Sequence, residues 1–495
     1  MWHLLEQREV RRLARRRAAA PRRPLPRPDR PAGTDLLPQI SHIVVLMMEN
    51  HSYDNYLGML RGSGEGFPRG WGGRPKVSNR GADGKAVRAF HLSSTVQRRG
   101  VPSQSWHASH LQWGEGQCDG FVTSAQQVQS QASAGTAGDE VDTAADAAVV
   151  GMGYWCEDDL PFYYGLARTF PLADHWFSSC LGPTFPNRRF LIAGTAHGLI
   201  DDSPYDLLDY PPTGTIFDML TSHGISWANY HPVAGEQPRW KRYARHRRKL
   251  ARRRVMALRR FGHAADGVRK DMQFTADVFP LGIGRYMQRV HGIDQFFTDA
   301  ADGTLPAFSI VDPDFDAYSE ENPQDIRKGE SFAAEVINAV LHGPGWEHTL
   351  LIWVYDEHGG YYDHVPPPPA IPPDDVEGRS VIGSGTPLQR LLRPVFPRLV
   401  KTKENLDQGP HHYDRYGFRV PAVIVSPYAR PDYVCSEVLD HTSVLRLVEE
   451  KWNLPALTAR DAAASTPLDA LDFTADPAFL KPPSLPEPSL EWGTW

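Results

Sequence analysis

Residues Leu350 to Tyr355 form an unbroken apolar and aromatic run, Leu-Leu-Ile-Trp-Val-Tyr, which stops abruptly at Asp356-Glu357-His358-Gly359-Gly360. A run this short, rich in β-branched and aromatic residues, reads as a strand buried on both faces, and such strands belong to parallel sheets covered by helices. Ile43 to Met48 has the same design and ends in Glu49, Asn50, His51, Ser52 and Asp54. Open α/β sheets place their sites at the carboxyl ends of such strands. Carboxylates there are stable when buried only if a cation or hydrogen bonds compensate them. Glu49, Asn50, Asp356 and Glu357 supply hard oxygen donors, the set a divalent ion takes. The competing reading is a pair of solvated strand-to-loop junctions with the acids turned to water.

The rest of the chain fits an α/β domain. Ala307–Val311 and Val420–Ser426 read as further buried strands, Ser331–Leu341 as an amphipathic helix, Thr215–His223 as a helix followed by a strand at Ile225–Trp227, and Asp440–Ser443 as the cap of a helix over Val444–Trp452. With 495 residues the chain suffices for one large α/β domain or two smaller ones. A net charge of −6 gives no overall attraction to nucleic acid. Cys118, Cys156, Cys180 and Cys435 have no paired spacing, so they read as free thiols, and no apolar stretch is long enough to span a bilayer.

Two stretches carry distinct chemistry. In Gly182-Pro183-Thr184-Phe185-Pro186-Asn187-Arg188, Pro186 suits a first helical turn and Thr184 lies at or just before its start. Amide dipoles there favour an anion. Beside a divalent ion the Thr184 hydroxyl becomes a nucleophile toward phosphorus, with Arg188 to neutralise a phosphoryl oxygen; alone, it is equally an N-cap. Between Arg239 and Arg260, clustered arginines and lysines alternate with Trp240, Tyr243, Leu250, Val255, Met256 and Leu258, a basic helix with a thin apolar stripe suited to an anionic membrane surface or to nucleic acid, or else a solvated insertion.

Four segments, 48–58 (MENHSYDNYLG), 182–190 (GPTFPNRRF), 356–368 (DEHGGYYDHVPPP) and 415–431 (RYGFRVPAVIVSPYARP), resemble in content and order the bacterial phospholipase C and acid phosphatase family, to which plant non-specific phospholipases C also belong. The resemblance covers roughly residues 40 to 475. It implies an alkaline-phosphatase-like three-layer α/β/α fold with a mostly parallel central sheet. It also implies a metal-dependent phosphoric ester hydrolase, most simply a phospholipase C cleaving the glycerol–phosphate bond of phosphatidylcholine-type lipids. Carried over, Glu49, Asn50, Asp356 and Glu357 become metal ligands, Thr184 the nucleophile and His107 a substrate- or phosphate-contacting histidine; the mechanism read from these residues puts Asn187 and Arg188 on phosphate and makes His107 or His358 the proton donor to the leaving alcohol. The ion is divalent, with calcium, magnesium, zinc and iron all open. One departure concerns the segment after the 307–311 strand, where Glu321-Asn322-Pro323 stands in place of a histidine-proline pair.

The resulting layout is a flexible basic arm over 1–37, a catalytic domain over 38–475 with a basic helical insertion at about 236–272, and a tail over 476–495. The expected partners are a phospholipid or small phosphate ester and, through 239–260, an anionic membrane; no specific nucleic acid is expected. The arginines of the arm lack the apolar core of an export signal, so the expected location is cytoplasmic or peripheral to a membrane. A phosphomonoesterase and a non-catalytic anionic-lipid or nucleic-acid binder are the alternatives.

Overall fold

The two acid-tipped runs are neighbouring strands. In the computed structural model, which describes residues 23–134, 141–202, 209–232, 274–279, 285–378 and 412–492, β1 (His42–Met48) pairs in parallel along its whole length with the strand at Thr349–Tyr355, from His42 opposite Thr349 to Met48 opposite Tyr355. Their flanking strands are Phe308–Val311 on the β1 side and Ala422–Val425 on the other. Naming the sheet strands in chain order as β1, β2 (Leu172–Ala173), β3 (Trp227–His231), β4 (Val290–Gly292), β5 (Phe308–Val311), β6 (Thr349–Tyr355), β7 (Ala422–Val425) and β8 (Val434–Cys435), the spatial order is β8-β2-β7-β6-β1-β5-β3-β4. Only β7 runs against the others among the described strands. Every residue of β6 is buried, as expected of a strand covered on both faces.

Helices lie on both sides of this sheet. The helices used below are α1 (Tyr53–Leu57), α2 (Trp106–Trp113), α3 (Phe121–Ser133), α4 (Pro161–Thr169), α5 (Thr184–Ala193), α6 (Ile216–Ser222), α7 (Ile293–Asp302), α8 (Ile326–His342) and α9 (His441–Lys451). α8 packs on β1 and β6 and against α4 and α7, and α5 packs on α9. The expected cap of α9 forms between Asp440 and Ser443, and Thr215 with Asp218 boxes the start of α6. The observed architecture is the expected α/β one. No described helix is long and apolar enough to cross a membrane, and all four cysteines are free thiols.

Two terminal segments are tied down. From Arg27 the chain is pinned to the end of α9: Asn453 accepts the Arg27 amide at 2.8 Å and donates to the carbonyls of Arg27, Arg30 and Pro31, while Lys451 binds Asp35 at 2.8 Å. Residues 27–37 therefore dock rather than hang free, in contrast to the flexible arm expected for them. In the tail, the Phe479 ring packs tilted against Phe170 and its carbonyl accepts the Trp346 indole N–H. The basic insertion expected at 236–272, the 239–260 helix within it, and residues 1–22 of the arm lie outside the described residues.

Candidate active site

Because Met48 faces Tyr355, the next residues of each strand, Glu49 and Asp356, leave the sheet side by side. Asn50 then turns the chain with φ 69°, a left-handed conformation that asparagine tolerates better than most side chains. Its amide donates to Asp356 Oδ1 at 3.2 Å, as does that of Glu357 at 2.7 Å, and the Gly359 amide donates to Glu357 Oε2 at 2.8 Å. Gly359 is itself left-handed at φ 64°, and a Cβ there would sit 1.8 Å from the Asn50 carbonyl oxygen. The first glycine of the Gly-Gly pair is what lets the two acidic loops close on each other.

This arrangement leaves three oxygens without partners. Glu49 Oε2, Asn50 Oδ1 and Glu357 Oε1 are buried and accept no hydrogen bond from the described residues. Leaving such a group unpaired costs about 1–3 kcal/mol, more when it is charged. Burial pushes the carboxyls of Glu49, Asp356 and Glu357 above the ordinary carboxylate range; Arg188 opposes this at Glu49 and Asp356, whereas at Glu357 the neighbouring Asp356 charge raises it further. Unpartnered oxygens on three of the four expected ligands, with no sulfur or histidine nitrogen among those ligands, fit a divalent cation bound by hard donors.

Arg188 is wholly buried, and its donors point at carboxylates of the chain itself. Nε donates to Asp356 Oδ2 at 2.9 Å, Nη1 to Asp312 Oδ1 at 2.7 Å and Thr275 Oγ1 at 2.8 Å, and Nη2 lies 3.6 Å from Glu49 Oε1 and 3.4 Å from the Met48 carbonyl. The phosphate contact expected of Arg188 is thus replaced by a brace across β1, β5 and β6. Asn187 is likewise turned inward. Its Oδ1 accepts the Cys180 amide at 3.0 Å, and its Nδ2 donates to the carbonyls of Gly182 and Pro183 at 2.9 and 3.0 Å. It shapes the loop ahead of Thr184 rather than holding phosphate.

Thr184 is the first residue of α5 and nearly buried, at 7% exposure. Arg188 follows one helical turn later on the same face, so the face of α5 carrying Thr184 is the one anchored to Asp356 and Glu49. The Phe185 amide donates to Asp202 Oδ1 at 2.8 Å, and the Asp202 charge in turn raises the Glu357 carboxyl. The three separated stretches around Glu49, Thr184 and Asp356 therefore meet at one end of the sheet.

The two histidines differ. His358 is buried between Phe121 and Phe418, and its Nε2 meets Gln112 Oε1 at 2.7 Å. The Gln112 amide protons are spent elsewhere: Nε2 donates to the Ser103 carbonyl and Ser124 Oγ. Oε1 must therefore accept, which fixes the proton of His358 on Nε2. Burial lowers its pKa to about 3. A neutral ring whose only proton is held by Gln112 is not the proton donor expected of it; His358 instead ties the Asp356–Gly360 turn to α2. The opposite end of α2 packs Trp106 beside Cys180 in a small core with Phe190 and Tyr413. His107 is half-buried on this doubly anchored helix.

Several contributors are not apparent from the motifs. Asp312 and Thr275 hold Arg188, Asp202 caps α5, and His441 Nε2 contacts the Asp356 carbonyl at 2.7 Å. Glu320 accepts hydrogen bonds from the hydroxyls of Tyr56, Tyr163 and Tyr355, and burial pushes it up to about 8. Asn322, in place of the expected histidine, donates to the carbonyls of Arg98 and Val101. A second buried cluster joins Arg419 to Asp363 at 3.0 Å and Asp54 at 3.4 Å, with His364 on Asp54 at 2.6 Å. Here the guanidinium already supplies the positive charge, so the cluster is an ion-paired brace between the segments at 48–58, 356–368 and 415–431.

The chain is similar to phospholipases C from bacteria and plants. It is 29% identical over 475 residues to phospholipase C B of Mycobacterium tuberculosis, covering 90% of this chain and 80% of that protein. Non-specific phospholipase C6 of Arabidopsis thaliana is 28% identical over 346 residues, 66% of this chain and 54% of the plant protein. Hemolytic phospholipase C of Pseudomonas aeruginosa is 26% identical over 86% of this chain and 54% of its own length. The chain thus spans about half the length of two of these relatives. A solved structure of a protein in the alkaline phosphatase superfamily from Vibrio parahaemolyticus matches with a TM-score of 0.32 and 10% identity, covering 61% of this chain and 64% of that one. The model of the phosphoesterase family matches residues 40–455, from the first residues before β1 to beyond α9, and the chain belongs to that family.

Proposed function

We propose that this member of the phosphoesterase family is a metal-dependent phospholipase C, hydrolysing the glycerol–phosphate bond of a phosphatidylcholine-type lipid with Thr184 as nucleophile. The observation that carries the reading is the set of partnerless buried oxygens on Glu49, Asn50 and Glu357 at the end of the sheet where α5 begins. These residues and Asp356 would hold the ion. When bound, a divalent ion lowers the pKa of a neighbouring hydroxyl and neutralises charge on phosphoryl oxygens.

In the proposed reaction the Thr184 hydroxyl gives up its proton to solvent, and Oγ1 forms a bond to phosphorus as the bond to the glycerol oxygen breaks. The positive end of α5 faces the charge that builds on the phosphoryl oxygens. His107 gives its proton to the departing glycerol oxygen. Water then displaces the threonine oxygen, releasing the phosphorylated headgroup and restoring the hydroxyl. Arg188 acts behind this surface, holding Asp356 and Glu49 in place. The similarity to phospholipases C supports a lipid diester substrate. On its sequence, the arginine-rich stretch 239–260 is the part we assign to an anionic lipid surface.

The test is a mass-spectrometric product survey over phospholipids and small phosphate esters with metal-loaded protein. Diacylglycerol and a phosphorylated headgroup are expected. Release of inorganic phosphate from monoesters, with lipids left intact, would replace this reading with a phosphomonoesterase; vesicle binding without any turnover would replace it with a lipid-binding protein.

A further inference from the structure

Away from the sheet end, His91, Cys156 and Asp159 form a small mixed-donor cluster. The short strand Phe90–His91 pairs in parallel with Gly153–Tyr154, His91 opposite Tyr154. Two residues on, Cys156 opens a tight turn whose carbonyl accepts the amides of Asp159 and Leu160, both at 3.0 Å. This turn folds Asp159 back onto Cys156, just ahead of α4. Asp159 Oδ2 accepts the Cys156 amide at 2.9 Å and meets His91 Nε2 at 2.7 Å, and Cys156 Sγ lies 3.8 Å from the same nitrogen. One ligand atom from each residue lies within 4.8 Å of the other two.

The geometry separates two kinds of chemistry. In a nucleophilic relay the imidazole uses one nitrogen toward the thiol and the other toward the carboxylate. Here thiol and carboxylate address the same nitrogen, so no relay can form. Three donors converging on one point is instead the arrangement of a ligand set. Thiolate, imidazole and carboxylate together suit zinc, with bonds of about 2.0–2.3 Å. Those bond lengths separate the donors of a tetrahedral ion by roughly 3.3–3.6 Å; the 3.8 Å Sγ to Nε2 spacing is already close, whereas the 2.7 Å Oδ2 to Nε2 pair must open by about half an ångström. The His91 side chain is 46% exposed and that of Asp159 16%, leaving access for the ion and for water as a fourth ligand. The backbone amide on Asp159 orients the carboxylate as outer hydrogen bonds do in metal sites.

We propose that His91 Nε2, Cys156 Sγ and Asp159 Oδ2 bind a zinc ion at a site separate from the acidic end of the sheet. Binding releases the Cys156 thiol proton to solvent and moves the His91 ring proton from Nε2 to Nδ1. The ion would clip the Phe90–His91 strand to the turn before α4.

The acidic site offers only oxygens, so a thiolate signature isolates this one. Metal-stripped full-length protein is titrated with Co2+ and followed in the near ultraviolet, then challenged with Zn2+. A sulfur-to-cobalt charge-transfer band with the intensity of one sulfur-bound cobalt per chain at saturation is expected, displaced by Zn2+, absent in Cys156→Ser, weakened in His91→Ala and retained in Glu357→Gln. Mass-spectrometric metal counting should find one equivalent of zinc fewer in Cys156→Ser than in the wild type. Absence of the band, or a band of equal strength in Cys156→Ser, overturns the proposal whatever the outcome at the acidic site.

Discussion

Replacing Arg188 by methionine tests how the acidic end of the sheet is held together. The guanidinium is wholly buried and faces Asp356, Asp312 and Glu49 at 2.9, 2.7 and 3.6 Å. Methionine keeps much of the packing volume and removes the charge. Asp312 retains hydrogen bonds from the Thr275 amide and hydroxyl and from Asn229, and Asp356 retains those of Asn50 and Glu357. The loss is therefore mainly the compensating charge, and stranding buried carboxylates in this way costs about 3–5 kcal/mol. Against a typical total of about 5–15 kcal/mol, that is roughly a fifth of the stability or more. Denaturant unfolding of metal-free protein should show the midpoint falling accordingly with little change in slope. A divalent ion should recover part of the loss, because it supplies charge to Glu49 and Asp356. Arg188→Lys should fall between, since one ammonium cannot reach Asp356 and Asp312 with the geometry of a guanidinium. If metal-free Arg188→Met unfolds at the wild-type midpoint, the brace described here is not what stabilises this end of the sheet.

Three other outcomes follow from the same contacts. Thr184→Ala should lower turnover by at least about a thousandfold while sparing metal content and the unfolding midpoint; measurable wild-type turnover would remove Thr184 as nucleophile. Glu320, raised from 4.5 to about 8 by burial, binds its proton more tightly in the folded state, so its stabilising contribution is complete below pH 4.5 and is lost as pH rises toward 8, by roughly 5 kcal/mol at most. Glu320→Gln should flatten that part of the pH–stability curve, and identical curves for both proteins would refute the assignment. Gly359→Ala, forced to place a Cβ 1.8 Å from the Asn50 carbonyl in a left-handed turn, should destabilise by about 1–3 kcal/mol or more and lose metal affinity by calorimetry.

The parts of this structure legible in the sequence are those written in adjacent residues. β1 and β6 announced themselves as continuous apolar runs, and their polar ends named Glu49, Asn50, Asp356 and Glu357 without reference to a fold. The Gly359-Gly360 pair was visible, but its reason was not, since the atom it makes room for is Asn50 O, over three hundred residues away. Direction was the harder quantity. Asn187 and Arg188 belong to a motif that reads as anion-binding, yet each turns its donors inward, because only the packed structure supplies Asp312, Thr275 and the loop carbonyls as acceptors. His358 sits beside two acids in sequence, where it reads as a proton donor. Its environment is set instead by Gln112, Phe121 and Phe418, none of them near in the chain. Asp202 and His441 carry no local signature of these roles: they matter through contacts that only the fold supplies, among them those to the Phe185 amide and to the Asp356 carbonyl. Residues 27–37 look unstructured by composition and are ordered by Asn453 and Lys451 at the far end of the domain.

Whether the acids of two strands and a helix-terminal threonine converge on one cation can be seen in crystals of the protein soaked in Mn2+ and measured for anomalous scattering. A peak is expected within about 2.0–2.6 Å of carboxylate or amide oxygens of Glu49, Asn50, Asp356 and Glu357 and facing Thr184 Oγ1. Ordered density for these residues with no peak among them, or a peak that Thr184 does not face, would contradict the account.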